Sequence, residues 1–333
     1  MPTYDQDSVV LKTILAGSTV LHRRGTQHAR DLVIINKGPG AITFRREASA
    51  WDLMEIYFAK KDQEAIAADP SKSDADWIIY EHDRNMRKFA IIKRIFEAFP
   101  ELFDYESVMM LDDDLVPVGC KVADIFTLFR ETGCRIGQPA LSKDSYWSHD
   151  IVIQNAGFRW RRTNFVEVMC PIMTVAAMRM YLPLFNETIS AFGLDYYWST
   201  QEWHHYGGLA VLDATPMRHS RPVGGGMAYQ GLSPDEDWVM FFRKHKLKNF
   251  RHRTLDGVPI HDWIVPSVLP IRYWIQISDL VKFKVRLIQR RVLLFILLTN
   301  FLLSLFMTNP PVRIFTLKKS EDADGTYKGK PQQ

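Results

Sequence analysis

Val108-Met109-Met110-Leu111-Asp112-Asp113-Asp114-Leu115 is the stretch on which the reading of this chain turns. Four consecutive apolar residues make a short strand buried on both faces, and three carboxylates then stop it. Acids emerging from such a strand stand at the rim of an open α/β sheet, where these sheets place their ligands. Adjacent carboxylates repel one another unless solvent or a divalent cation neutralises them, and Mg2+ or Mn2+ favours oxygen ligands of this kind. Alternation along an extended chain turns Asp112 and Asp114 one way and Asp113 the other, so the first and third are the metal candidates. An acidic surface turn gives the same three letters.

Working outward, Asp31 to Asn36 reads as a strand closed by the turn Lys37-Gly38-Pro39-Gly40. Trp51 to Phe58 and Trp77 to Tyr80 are further short strands, separated by a polar loop around Pro70 to Asp76. Lys88 to Phe99 carries apolar residues at helical spacing and ends at Pro100, and Val122 to Arg130 is again helical. This alternation predicts an α/β fold, a doubly wound sheet flanked by helices. The block from Arg135 to Gly226 mixes short strands with helices and is rich in Trp, Tyr and His, as expected of an acceptor pocket.

Three further groups join the triplet as candidates. Asp195, in Gly193-Leu194-Asp195-Tyr196-Tyr197-Trp198, is a carboxylate among aromatics, a setting that raises its basicity and suits a general base. Glu167 is a charge within the apolar, strand-like Phe165-Val166-Glu167-Val168-Met169; either it has a chemical task or it pairs with Arg161 or Arg162. His219 lies between Arg218 and Arg221 and just before Gly224 to Gly226, a combination suited to a metal shell and a diphosphate.

With 333 residues, 47% apolar and 24% charged, the chain is neither disordered nor collagenous, and three cysteines exclude a disulfide framework. Its net charge of +4 conceals an asymmetry: twelve Lys or Arg face three acids from Arg243 to Arg291, and the first 242 residues carry −7. That argues for one localised contact with an anionic surface and against nucleic acid as a partner. Lys282, Lys284, Arg286, Arg290 and Arg291 lead into the 16-residue apolar run Val292 to Met307, which Pro310 and Pro311 close. The run is shorter than a bilayer span, so the expectation is an in-plane or re-entrant helix on anionic lipid, helped by Trp263, Tyr273 and Trp274. A core or dimer helix is the alternative. A polar, acidic opening without a signal peptide adds the expectation of the cytoplasmic face of a membrane, peripheral or monotopic. The regions are then an N-terminal extension (1–30), a catalytic domain (31–242) and a basic, apolar membrane-associating region (243–333).

Six stretches in one order carry a resemblance: the triplet, Asp124 to Phe126, Gly137 to Ser145, Arg161 to Pro171, Gly193 to Trp198 and Gly208 to Gly225. They resemble the family known as domain of unknown function 707, labelled lysine-ketoglutarate-reductase trans-splicing-related. No GxGxxG loop supports a reductase. The family is in turn similar to glycosyltransferases of the GT-A type. That likeness implies a GT-A-like nucleotide-binding sheet, Mn2+ or Mg2+ on Asp112, Asp114 and His219, and donor contacts from Asn36, Lys88, Asp113, Arg218 and Arg221. It further implies Asp195 and Glu167 as catalytic carboxylates and an inverting transfer from a nucleotide-sugar donor to a glycan or lipid-linked acceptor, in envelope polysaccharide synthesis. Gln138, Trp198 and Trp203 are the acceptor-binding candidates. The alternatives are a haloacid-dehalogenase-like phosphatase, which carries its Asp-x-Asp on a first strand, and a non-catalytic membrane adaptor.

Overall fold

A computed structural model of the chain describes residues 10–15, 17–23, 29–38, 50–69, 72–83, 87–222 and 233–260. In order these form β1 (Val10–Leu15), β2 (Ser18–Arg23), β3 (Asp31–Lys37), β4 (Asp52–Tyr57), α1 (Lys60–Ala68), β5 (Trp77–Glu81), α2 (Lys88–Ala98), β6 (Ser107–Leu111) and β7 (Leu115–Pro117). Then come α3 (Val122–Thr132), β8 (Ile136–Leu141), β9 (Phe158–Thr163), β10 (Ile172–Thr174), α4 (Val175–Tyr181), α5 (Leu194–Tyr206), β11 (Leu209–His219), α6 (Pro234–His245) and β12 (Thr254–Pro259).

All twelve strands join one mixed sheet in the order β1-β2-β5-β4-β3-β6-β10-β8-β11-β9-β12, with β7 beside β11. β5, β4, β3 and β6 are parallel neighbours buried on both faces, which is why they are rich in apolar residues, with Glu55 a buried exception in β4. One face packs Val33, Ile35, Met109 and Leu111 against Ile66 of α1 and Ile125, Phe126 and Phe129 of α3. The other packs Leu32, Ile34, Val108 and Met110 with α2 residues Phe89, Ile92 and Phe96, and with Met178, Trp198 and Phe241. Each such side chain contributes about 1.5–3 kcal/mol on burial.

The topology fixes where a ligand fits. From β3 the chain moves outward through β4 to β5 and then returns to pair β6 with the opposite side of β3. That reversal opens a crevice beyond the C-terminal ends of β3 and β6. β10 is antiparallel to both β6 and β8, and β11 is parallel to β8, so β6, β8 and β11 all end at the same rim.

Several boundaries differ from the sequence reading. Residues 10–23 are a hairpin that extends the sheet through antiparallel pairing of β2 with β5. α1 had no counterpart in the sequence reading, because its one buried side chain, Ile66, leaves no apolar stripe to read. β12 pairs with β9, so the sheet continues past residue 242. The 16-residue apolar run, the basic residues Lys282 to Arg291, Trp263, Tyr273, Trp274 and the glycines Gly224 to Gly226 lie outside the described residues. Among the described residues no helix is long and apolar enough to cross a membrane.

Candidate active site

The triplet does begin where β6 ends, at the crevice, but it does not alternate. Residues 113 and 114 form a turn into β7, and the three carboxylates meet different partners. Asp112 is bound by Lys88 Nζ at 2.8 Å. Asp113 accepts the Gly38 backbone N–H at 2.8 Å and is paired with Arg221. Asp114 is held by Arg221 Nε at 3.0 Å and by His219 Nε2 at 2.9 Å. Asp112 thus has a different partner from Asp113 and Asp114, which are joined through one guanidinium.

The pairing of β7 with β11 brings these distant segments together. Leu115 lies opposite His219, and Ser220 donates from both its N–H and its Oγ to the Asp114 carbonyl, each at 3.0 Å. Strand alternation at this end buries His219 and exposes Arg218 on the other face, where it stands 3.8 Å from Asp144. Arg218 therefore does not reach the cluster as a donor contact. Gly38 closes it from the β3 side, because a Cβ there would come within 2.6 Å of Asp113 Oδ2.

Electrostatics separate the carboxylates. Burial pushes Asp113 above the usual carboxylate range, with Arg221 and the Gly38 N–H opposing. Burial pushes Asp114 the same way, but bonds from His219 and Arg221 together hold it below its ordinary value. The His219 imidazole is desolvated, yet its bond to Asp114 raises it above its ordinary value.

A second pair of carboxylates lies deeper. Glu167 sits in the irregular segment between β9 and β10 rather than in a strand, because side chains from elsewhere hold that backbone. Gln138 Oε1 accepts the Glu167 N–H at 2.6 Å, and Lys88 Nζ donates to the Val168 and Met169 carbonyls at 3.0 and 3.1 Å. The three protons of Lys88 are thus used within the protein, and those of Gln138 go to the Pro139 carbonyl and Cys170 Sγ. Both act as braces for this loop, in place of the donor and acceptor contacts expected of them.

Neither arginine offered as a partner reaches Glu167. Arg161 is fully buried and bonds Asp213, while Arg162 stands 3.5 Å from Asp256. Glu167 Oε1 accepts the His149 N–H at 3.1 Å, and the buried Oε2 has no hydrogen-bond partner among the described residues. Burial, reinforced by Asp195 and Asp112, pushes its carboxyl up to about 8. Asp195 lies in the first turn of α5 and accepts N–H groups of Gly193 (3.2 Å) and Tyr196 (2.9 Å). Burial outweighs those bonds and pushes it up to about 7. Gly193 is required at this turn: its φ is +97°, and a Cβ would meet Phe241 at 2.7 Å.

The remaining candidates divide. Asn36 lies near the end of β3, half-buried, its buried Oδ1 without a hydrogen-bond partner among the described residues. Trp198 is 1% exposed, packs on Phe89 at 6.0 Å and donates its indole N–H to the Val166 carbonyl, so it is a core residue and not an acceptor platform. Trp203 is half-buried on α5, about 12 Å along the helix axis from Asp195.

Among the described residues no group of three His, Cys, Asp or Glu side chains is placed to hold a metal ion. Asp114 and His219 nonetheless fit two positions of a shell. Their carboxylate and imidazole donors suit Mn2+, and buried Asp114 Oδ1 has no hydrogen-bond partner among the described residues. Asp112 has one oxygen bound by Lys88.

No family model matches the sequence, so the resemblance to domain of unknown function 707 gains no support there. No curated protein matches either. Among solved structures, the chain is similar to GalNAc-T7 with UDP, GalNAc and Mn2+, at 10% identity and TM-score 0.44, covering 67% of this chain and 49% of that one. It is also similar to S. aureus TarS in complex with UDP-GlcNAc, at 11% identity and TM-score 0.42, covering 65% of each chain. A third is A197 from STIV, at 14% identity and TM-score 0.30, covering 62% of this chain and 91% of that one. The chain thus spans about half the length of the first of these. TM-scores at this level do not establish a shared fold.

Proposed function

We propose that this chain is a glycosyltransferase of GT-A type that moves a sugar from a nucleotide-sugar donor to a hydroxyl of a glycan or lipid-linked acceptor, with inversion. One observation carries the reading. A cluster able to receive a diphosphate, built from Asp113, Asp114, His219 and Arg221, opens at the sheet's switch point, and two buried carboxylates near neutral pKa lie behind it.

Breaking a sugar–phosphate bond leaves negative charge on the departing diphosphate. Arg221, already at the rim, stabilises that charge electrostatically. Asp114 and His219 would hold a divalent cation, which would supply further charge neutralisation to the leaving group. Asp195, titrating near 7, accepts the proton of the attacking hydroxyl, a contribution on the order of 10²- to 10⁴-fold. Glu167 keeps its proton up to about pH 8, so it does not add a second buried charge and presents an O–H donor in its place. A role in envelope polysaccharide synthesis fits such an acceptor.

The test is transfer from a panel of nucleotide sugars in the presence of Mn2+, with D195N as the inactive control. Transfer at background for every donor overturns the reading. Release of inorganic phosphate from small phosphomonoesters, without transfer, identifies a phosphatase instead.

A further inference from the structure

The segment joining α6 to β12 runs through Lys246-Leu247-Lys248-Asn249-Phe250-Arg251-His252-Arg253 and is two-sided. Its inward residues are apolar or aromatic. Phe250 lies 5.3 Å from the ring of Tyr196, and His252 stacks on buried Phe165 at 4.1 Å. Asn164 staples it in place: its side-chain N–H donates to the Arg251 carbonyl at 2.9 Å, its backbone N–H to the Arg253 carbonyl at 3.1 Å, and its Oδ1 accepts the Arg253 N–H at 2.6 Å.

The outward residues are Lys246, Lys248, Arg251 and Arg253, all exposed, with exposed Arg243 one helical turn earlier. No acid occurs between Arg243 and Leu255, and among the described residues none of these five cations has an ion-pair partner. Soluble surfaces intersperse the two signs, because unmixed charge repels itself. Apolar residues flank the cations. Of the eight large apolar side chains exposed among the described residues, four lie here: Met240 (58%), Leu255 (37%), Val258 (37%) and Ile260 (40%).

We infer that this strap, with the apolar residues beside it, docks the protein on an anionic phospholipid bilayer. The cations are strung along the chain rather than gathered round one point, so they match a sheet of headgroups better than a single phosphate. A nucleic-acid backbone would satisfy the charges but offer nothing to Leu255, Val258 and Ile260, which a headgroup–acyl boundary receives. The inference goes beyond the catalytic proposal and stands without it.

Flotation of the full chain with phosphatidylcholine vesicles, with and without phosphatidylglycerol, tests it. Binding is expected only with the anionic lipid and is expected to weaken with added salt. Each lost cation weakens partition about fivefold, so R251Q/R253Q and, separately, K246Q/K248Q are each expected to lose about thirtyfold. These side chains are exposed and outside the catalytic cluster, so thermal unfolding is expected to be unchanged. L255S/V258S lowers binding while leaving its salt dependence intact. Wild-type partition of both cation variants, equal binding to neutral vesicles, or displacement by inorganic phosphate or single-stranded DNA would each overturn the inference.

Discussion

His219 Nε2 stands 2.9 Å from Asp114 Oδ2 while its Nδ1 stands 2.9 Å from the Tyr146 carbonyl oxygen. Both partners accept, so both ring nitrogens carry protons and the side chain is an imidazolium. A metal on Nε2 has to displace that proton. Mn2+ binding is therefore expected to release about one proton and to tighten as pH rises toward neutrality. Calorimetry in two buffers of different ionisation enthalpy reads the release directly, and a heat independent of buffer would contradict it.

The separation of Asp112 from Asp114 makes the two residues unequal. D114N is expected to weaken Mn2+ binding at least tenfold, since it removes a ligand charge beside His219. D112N, whose partner is Lys88, is expected to leave Mn2+ affinity within a few-fold while loosening the loop that carries Glu167. Equal losses from both would restore the alternating arrangement read from sequence.

Glu167 predicts how stability follows pH. Its folded value of about 8 exceeds the ordinary 4.5, so the folded chain binds more protons between those limits. Its contribution is complete below about pH 4 and is lost as pH rises through about 8. E167Q keeps an acceptor for the His149 N–H but cannot ionise, and its urea midpoint is expected to fall less between pH 5 and 8 than that of the wild type. Parallel curves for the two proteins would rule out the buried acid as the cause.

Arg161 and Asp213 form an ion pair with no solvent exposure on either side chain. Arg161 also donates to the carbonyls of Ile151 (3.2 Å) and Ile153 (2.9 Å), and thereby ties β9 and β11 to the segment between β8 and β9. D213N strands the guanidinium, with an expected cost of about 3–5 kcal/mol in chemical unfolding. A loss below about 1 kcal/mol would show that solvent reaches the pair.

Three of the central strands were legible because parallel strands buried on both faces carry apolar runs, as in LVII (32–35), WIIY (77–80) and VMML (108–111). α2 and α3 were legible by their apolar spacing. Gln138 and Trp198 were misread because residue type does not say which way a side chain faces: an amide braces a loop as readily as it binds a sugar, and an indole fills a core as readily as it lines a pocket. Glu167 was misread as a strand residue because the bonds that shape its loop come from Lys88 and Gln138, which no local pattern connects to it.

The order of residues alone determined that acids follow a buried strand, and so lie at a sheet rim, because hydrophobic burial and strand ends are local properties. Which of those acids meets Arg221 and His219, and which is claimed by Lys88, was decided only when β7 paired with β11 and α2 packed beside β6. Those contacts span 24 to 108 positions of chain. Their partners are selected by sheet register and packing, which depend on the whole core at once.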